Sequence, residues 1–131
     1  GWDGGRFAAA VAESPARNRI VRLGYVTEAD RRDLLAGASV FAYPSIYEGF
    51  GFPPLEAMRA GVPVVAGGTG SLPEVLGDAA TLVDPTDTDA LASALLDLLN
   101  DETARHAHIT RGRAQVDRYS WDRMAAEVVD L

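Results

Sequence analysis

The chain has 131 residues, 47% hydrophobic and 24% charged, which is the balance of one small globular domain. Nineteen acidic residues against twelve basic ones, all of them Arg, give a net charge of −7 and argue against binding to nucleic acid or to an anionic membrane. The absence of cysteine excludes disulfides, thiol catalysis and thiolate metal sites.

The first part of the chain predicts two helices and two strands. A helix-forming, alanine-rich run occupies residues 6–12, and residues 20–24 read as a short strand. Thr27 is the expected N-cap of the next helix, since Asp30 supplies an acid in its first turn. Residues 39–43 are apolar almost throughout, which is typical of a strand covered on both faces of a sheet.

A glycine-rich loop at residues 45–52 leads into a helix that Pro53 and Pro54 open and that runs to residue 60. The alternation then continues with strands at 62–66 and 80–83 and helices at 72–76, 87–100, 101–119 and 121–131. Strictly alternating strands and helices predict an α/β fold with a Rossmann-like parallel sheet flanked by helices. Such sheets bind ligands at the carboxyl ends of their strands, so the loop after residues 39–43 is the first candidate site.

Two carboxylates, Glu48 and Glu56, bracket this loop. An ionised carboxylate accepts hydrogen bonds through two oxygens, which suits the paired hydroxyls of a ribose or a hexose. Gly49 and Gly51 let a ligand approach the backbone, and free amides at a helix start favour a phosphate. Each Glu taken alone is better explained by solvation or by the helix dipole than by ligand binding, but the pair together predicts a nucleotide-sugar site.

Residues 43–58 closely resemble the E-x7-E element of the retaining GT-B glycosyltransferases of family 4 (glycosyl transferases group 1). Further landmarks agree in order with the same family: residues 24–26, 60–66, 72–75, 82–85 and 119–121. The resemblance covers residues 20–130 and implies that the chain is most of the C-terminal, donor-binding half of a GT-B fold. Because Gly1 is not preceded by an initiator Met, we also expect the chain to be a fragment of a longer protein.

The resemblance implies a role for each matching residue. Glu48 would be the catalytic residue that holds hydroxyls of the donor sugar, and Glu56 would bind the nucleotide ribose. The implied backbone contacts to the donor come from Val26, Gly49, Phe50, Gly51 and Leu55. Residues 1–119 would form a partial nucleotide-sugar-binding domain, and residues 120–131 a helix that packs back toward an N-terminal domain.

The sequence departs from the family in two respects. Gly70-Ser71 stands where the family usually has Gly-Gly, and the chain contains no Lys, whereas the family uses an upstream Arg and Lys pair at the diphosphate. The resemblance therefore implies that this chain alone is inactive.

Several other motifs have simpler explanations. Asp87-Thr88-Asp89 matches a metal-binding D-x-D pattern, but helix capping accounts for it, and no metal is expected. His106 and His108 are two apart on a helix, point in different directions and are expected to be exposed. The arginines of residues 111–123 are interrupted by acids, which favours a solvated face.

The expected function is the transfer of a hexose from a nucleotide-diphosphate sugar to an acceptor hydroxyl with retention, without a cofactor or metal. The alternatives are a non-catalytic nucleotide-sugar-binding or regulatory module and a GT-B sugar-nucleotide epimerase. The expected partners are the donor and, through an N-terminal domain, the acceptor, with no nucleic acid and no membrane span. We expect a cytoplasmic location, with peripheral membrane contact through the N-terminal domain left open. An unpaired sheet edge predicts a homodimer of this chain.

Overall fold

A computed structural model describes residues 4–120 of the chain. It contains six α-helices within that range: α1 (Gly4–Glu13), α2 (Glu28–Gly37), α3 (Phe52–Arg59), α4 (Leu72–Leu76), α5 (Thr88–Asn100) and α6 (Glu102–Asp117). The strands are β1 (Phe41–Tyr43), β2 (Val64–Gly67) and β3 (Thr81–Val83), and short 3-10 helices occur at Arg17–Arg19 and Gly77–Ala79. The predicted last helix, residues 121–131, lies outside the described residues.

The three strands form a parallel sheet in the order β1-β2-β3. In register, Phe41 pairs with Val64, and Val65 pairs with Thr81. Each strand is joined to the next by a helix, as parallel pairing requires. The predicted α/β parallel architecture is confirmed.

The core lies on both faces of the sheet because successive residues of β2 point to opposite sides. Val64 and Ala66 join α3 and α4 in the larger cluster, whereas Val65 packs with Ala94 and Leu98 of α5 on the other face. Every residue of β2 is buried, which explains its uninterrupted apolar sequence.

N-cap residues in the sequence mark the starts of three helices in the structure. The Thr27 hydroxyl accepts a hydrogen bond from the Asp30 amide at 3.1 Å, so the predicted N-cap is confirmed. Asp87 and Asp101 cap α5 and α6 in the same way, accepting from the amides of Ala90 and Ala104.

The strand predicted at residues 20–24 was wrong. This segment forms no ladder with any described strand, and Val21 and Leu23 are 77% and 54% exposed. A strand exists only where a neighbour pairs with its backbone, and no described strand lies beside this segment to do so. β1 is consequently an edge of the described sheet.

Candidate functional site

The site is built where β1 and β2 end. The loop after β1, residues 44–51, carries Glu48, and the loop after β2, residues 68–71, packs against it. We call these segments the acid loop and the Gly-Ser loop. The parallel pairing of Tyr43 with Ala66 brings both loops to the same edge of the sheet.

The side chain of Glu48 is held from within the acid loop and from β1. The Ser45 hydroxyl donates to Oε1 of Glu48 at 2.9 Å. The pKa of Tyr43 is raised to about 12. The causes are burial of its phenol, the hydrogen bond that it donates to the Glu48 carboxylate, and the negative charge of that carboxylate. The carboxylate of Glu48 thus accepts hydrogen bonds from two hydroxyl groups, those of Tyr43 and Ser45.

The backbone of the acid loop is held by the Gly-Ser loop. The Thr69 hydroxyl donates to the carbonyl of Ile46 at 2.7 Å, and the Ser71 hydroxyl donates to the carbonyl of Glu48 at 2.8 Å. Gly70 adopts a positive φ of 61°, and a Cβ there would lie 3.3 Å from the Glu48 carbonyl oxygen. The two backbones therefore approach more closely than most side chains would permit.

The start of α3 offers few helix amides to a ligand. Its N-cap, Gly51, has a φ of 107°, and the helix continues with Phe52, Pro53 and Pro54, of which the prolines carry no N–H. The amide of Leu55 donates to the Gly51 carbonyl at 3.4 Å. Within residues 4–120, the amides of residues 49–52 donate to no protein acceptor, so the donors available to an anion belong to the loop rather than to the helix.

Glu56 lies on α3 and faces α2. Its Oε2 is 3.3 Å from Nε of Arg31, and the two side chains are 40% and 49% exposed. Both border a groove of about 330 Å³ between the two helices, which Arg32 and Arg59 also line. Glu56 is therefore accessible while it is paired with a cation.

The remaining candidate residues are distributed around the site. The ring of Phe50 packs on Phe52 and Tyr119 at centroid distances of 4.7 and 5.4 Å, and the Leu55 side chain is buried. Gly49 is exposed, with open space at its Cβ position. Val26 is half-buried and lines a different, open cavity with Leu23. The structure thus gathers residues 48–56 at one end of β1 and leaves Val26 in a separate cavity.

Sequence reasoning did not identify the residues that hold the two carboxylates. Arg31, Ser45, Thr69 and Ser71 had no assigned role, and Tyr43 was only part of the strand predicted at residues 39–43. The only available signal was the family departure at Ser71, whose hydroxyl now has a partner in Glu48.

The other motifs have structural roles. Oδ1 of Asp87 accepts from the Ala90 amide at 2.9 Å, as helix capping predicts. His106 is exposed and lies 3.6 Å from Glu102, whereas His108 is half-buried and its Nε2 lies 3.0 Å from the Thr81 hydroxyl. The prediction that both histidines are exposed therefore holds for His106 alone.

In the described part of the chain, no three His, Asp or Glu side chains lie close enough to hold a metal ion together. No helix within residues 4–120 is both long and apolar enough to cross a membrane.

Comparison with known proteins identifies relatives along nearly the whole chain. The family model described as "Glycosyl transferases group 1" matches residues 6–115. The chain is 42% identical over 130 residues to the O-antigen chain mannosyltransferase B of Escherichia coli, which covers 99% of this chain and 34% of that protein. It is 46% identical over 101 residues to the MMP alpha-(1->4)-mannosyltransferase of Mycolicibacterium hassiacum, covering 73% of this chain and 24% of that protein.

A solved structure supports the same relationship. Sucrose-phosphate synthase from Thermosynechococcus elongatus, a GT-B glycosyltransferase, matches with a TM-score of 0.85 at 29% identity, covering 95% of this chain and 32% of that chain. The GT-B fold prediction is therefore confirmed. The chain spans about one third or less of the length of each of these relatives.

Proposed function

The chain belongs to the group 1 glycosyl transferases, and from this premise we propose that it is the donor-binding part of a retaining hexosyltransferase. The complete protein, meaning the longer protein of which this chain would be the C-terminal half, transfers a hexose from a nucleoside-diphosphate sugar to an acceptor hydroxyl. Both curated relatives reported above are named mannosyltransferases, which favours a mannosyl donor.

Two carboxylates carry the proposal. Glu48 accepts hydrogen bonds from hydroxyls of the donor sugar, and Glu56 accepts from the ribose diol. The support for this division is that Glu48 is held in the acid loop while Glu56, 40% exposed, lies on the next helix. Each carboxylate retains acceptor capacity beyond its protein partner, because two oxygens offer about four lone-pair sites.

The diphosphate is bound by backbone amides. Gly49, Phe50 and Gly51 supply amides that have no acceptor among the described residues, and Leu55 supplies one that is only weakly engaged. During transfer, the bond between the anomeric carbon and the diphosphate oxygen breaks as the acceptor oxygen bonds to that carbon, and the acceptor proton passes to the departing diphosphate. Preorganised amides aimed at the developing negative charge lower the barrier to this step.

Several finer assignments belong to the same proposal. The backbone at Val26 contacts the nucleobase, no metal or organic cofactor takes part, and the acceptor is bound by the N-terminal domain. This chain alone is inactive, because the acceptor site and the basic pair of the family lie elsewhere in the complete protein.

Donor titration of the complete protein tests the proposal. We expect Glu56→Gln to weaken binding of the nucleoside diphosphate and Glu48→Gln to reduce turnover with less effect on that binding. Glu102→Gln is the control, because Glu102 is an exposed acid at the start of α6. Unchanged nucleotide affinity in Glu56→Gln would refute the ribose assignment, and unchanged turnover in Glu48→Gln would refute the sugar assignment.

Product analysis with a labelled nucleotide sugar tests the reaction class. Transfer of the label to an acceptor with an unchanged anomeric configuration is the expected result. Release of an epimerised sugar, or binding without any product, would refute it.

A further inference from the structure

Ser71 links the two loops of the site at the residue that carries the first carboxylate. Its hydroxyl donates to the carbonyl of Glu48 at 2.8 Å, across 23 residues of sequence. The bond is partly buried, so water competes for it less than for an exposed bond. A hydroxyl has one proton to donate, and here that proton is directed at Glu48.

Two glycines near Ser71, Gly67 and Gly70, allow the two loops to approach closely enough for this bond. Gly70 lies against the backbone of Glu48, since a Cβ on Gly70 would be 3.3 Å from the Glu48 carbonyl oxygen and 3.4 Å from its nitrogen. A Cβ on Gly67 would collide with the Ser45 carbonyl oxygen. The glycines therefore allow the approach, and the hydroxyl of Ser71 fixes it.

The side chain of Glu48 is fixed separately. Ser45 donates to Oε1 of Glu48 at 2.9 Å, and its other acceptor, the Tyr47 carbonyl, is farther away at 3.2 Å. A hydrogen bond to a carboxylate is stronger than one to a neutral carbonyl. Ser45 thus holds the carboxylate of Glu48, and Ser71 holds its backbone carbonyl.

We propose that Ser71 is a positioning residue, which fixes the backbone of Glu48 so that its carboxylate meets the donor sugar. This inference rests on the proposed sugar-binding role of Glu48. An error of about 1 Å in a reacting group can reduce the rate by about a hundredfold, so loss of the bond is expected to lower kcat about ten- to a hundredfold. The ribose contact is made by Glu56 on α3 and is retained. The Glu48 carbonyl and the Gly49 amide share one planar peptide group, so the diphosphate contact is weakened as well, and kcat is expected to fall more than the affinity for the nucleoside diphosphate.

The test compares Ser71→Ala, Ser71→Thr and Ser93→Ala in the complete protein. Ser93 is an exposed serine on α5 and serves as the matched control. For Ser71→Ala we expect a fall in kcat for the nucleotide sugar that is several times larger than any loss of affinity for the nucleoside diphosphate. Ser71→Thr retains a hydroxyl and is expected to restore most of the rate, while Ser93→Ala matches the unmodified protein.

Thr69→Val provides an independent variant of nearly the same volume. It removes the hydroxyl that donates to the Ile46 carbonyl and is expected to give a smaller fall in kcat, again larger than any loss of nucleotide affinity. A double-mutant cycle between Ser71→Ala and Glu48→Gln is expected to be strongly non-additive, because Ser71 acts through Glu48.

The outcomes separate this inference from the function on which it rests. If Glu48→Gln loses turnover while Ser71→Ala and Thr69→Val retain it, the positioning role is wrong and the sugar-binding role stands. A parallel loss of nucleotide affinity and kcat in Ser71→Ala, or an additive cycle, also overturns the positioning role. If Glu48→Gln itself retains turnover, the proposed function of Glu48 fails.

Discussion

The guanidinium of Arg31 lies 3.3 Å from the carboxylate of Glu56, and this contact joins two helices that begin on either side of the acid loop. Both side chains are about half exposed, so the pair contributes little to the stability of the fold. Its greater effect concerns Glu56 itself, because one rotamer of that side chain is favoured before any ligand arrives.

Replacement of Arg31 is expected to separate stability from ligand affinity. Arg31→Ala should lower the free energy of unfolding by less than about 1 kcal/mol, as for other exposed pairs. It should weaken nucleoside diphosphate binding about two- to tenfold, because Glu56 must then be ordered on binding. Calorimetric titration measures the affinity, and Arg32→Ala, in the same groove, is the control. Tighter binding in Arg31→Ala would mean that Arg31 competes with the ribose instead.

The two glycines of the acid loop predict different responses to alanine. Gly51→Ala should destabilise the protein by about 1–2 kcal/mol, because φ is 107° there and the new Cβ would lie 2.8 Å from Cδ2 of Leu72. Gly49→Ala meets open space and should leave the unfolding midpoint nearly unchanged. Urea unfolding of both variants measures the difference, and equal midpoints would contradict the strained geometry at Gly51.

Tyr43 predicts a loss of stability at high pH. Its pKa is raised from 10.0 to about 12, so the folded state favours the neutral phenol. The stabilisation is complete below the unfolded pKa and is lost as the pH rises through about 12. Tyr43→Phe should flatten the stability profile between these limits. An identical profile in the two proteins, measured by urea unfolding, would show that Tyr43 is not responsible.

Substitution of Asp87 is expected to lower stability through the lost helix cap, whereas Mn²⁺ is expected to have no effect on stability. Asp87→Ala should cost about 1 kcal/mol of stability, whereas Asp87→Asn retains an acceptor for the Ala90 amide and should cost less. Millimolar Mn²⁺ should not change the melting temperature of the unmodified protein or of either variant. A melting temperature that rises with Mn²⁺ only when Asp87 is present would restore the metal interpretation.

The edge of β1 predicts self-association of this chain. Ala42 is exposed on that strand, and a lysine there should block pairing between two edges. Light scattering is expected to find a dimer for the unmodified chain and a monomer for Ala42→Lys. A monomer in both cases would contradict the predicted dimer.

The sequence was most informative where a structure depends on nearby residues. Thr27 and Asp87 cap helices through amides three residues away, and Pro53 and Pro54 mark the start of α3. The strand at residues 20–24 was mispredicted because strand formation depends on a pairing partner, which apolar composition does not reveal.

The same limit applies to the candidate site. Glu48 and Glu56 were predicted as site residues from their spacing and from the family resemblance, but the groups that hold them were not predicted. Ser71 reaches Glu48 from 23 residues away, and Arg31 reaches Glu56 from a different helix. Such contacts form only when distant segments pack together, so no local sequence pattern predicts them.

The contact between the Gly-Ser loop and the acid loop also bears on the order in which the molecule folds. The acid loop is flanked by β1 and α3, yet two of its carbonyls take their hydrogen bonds from Thr69 and Ser71, beyond β2. A nascent chain that ends before these residues can form the acid loop but cannot fix it. The proposed donor site is therefore complete only once residues 68–71 are in place, and local opening of these residues would release the acid loop while the core remains intact.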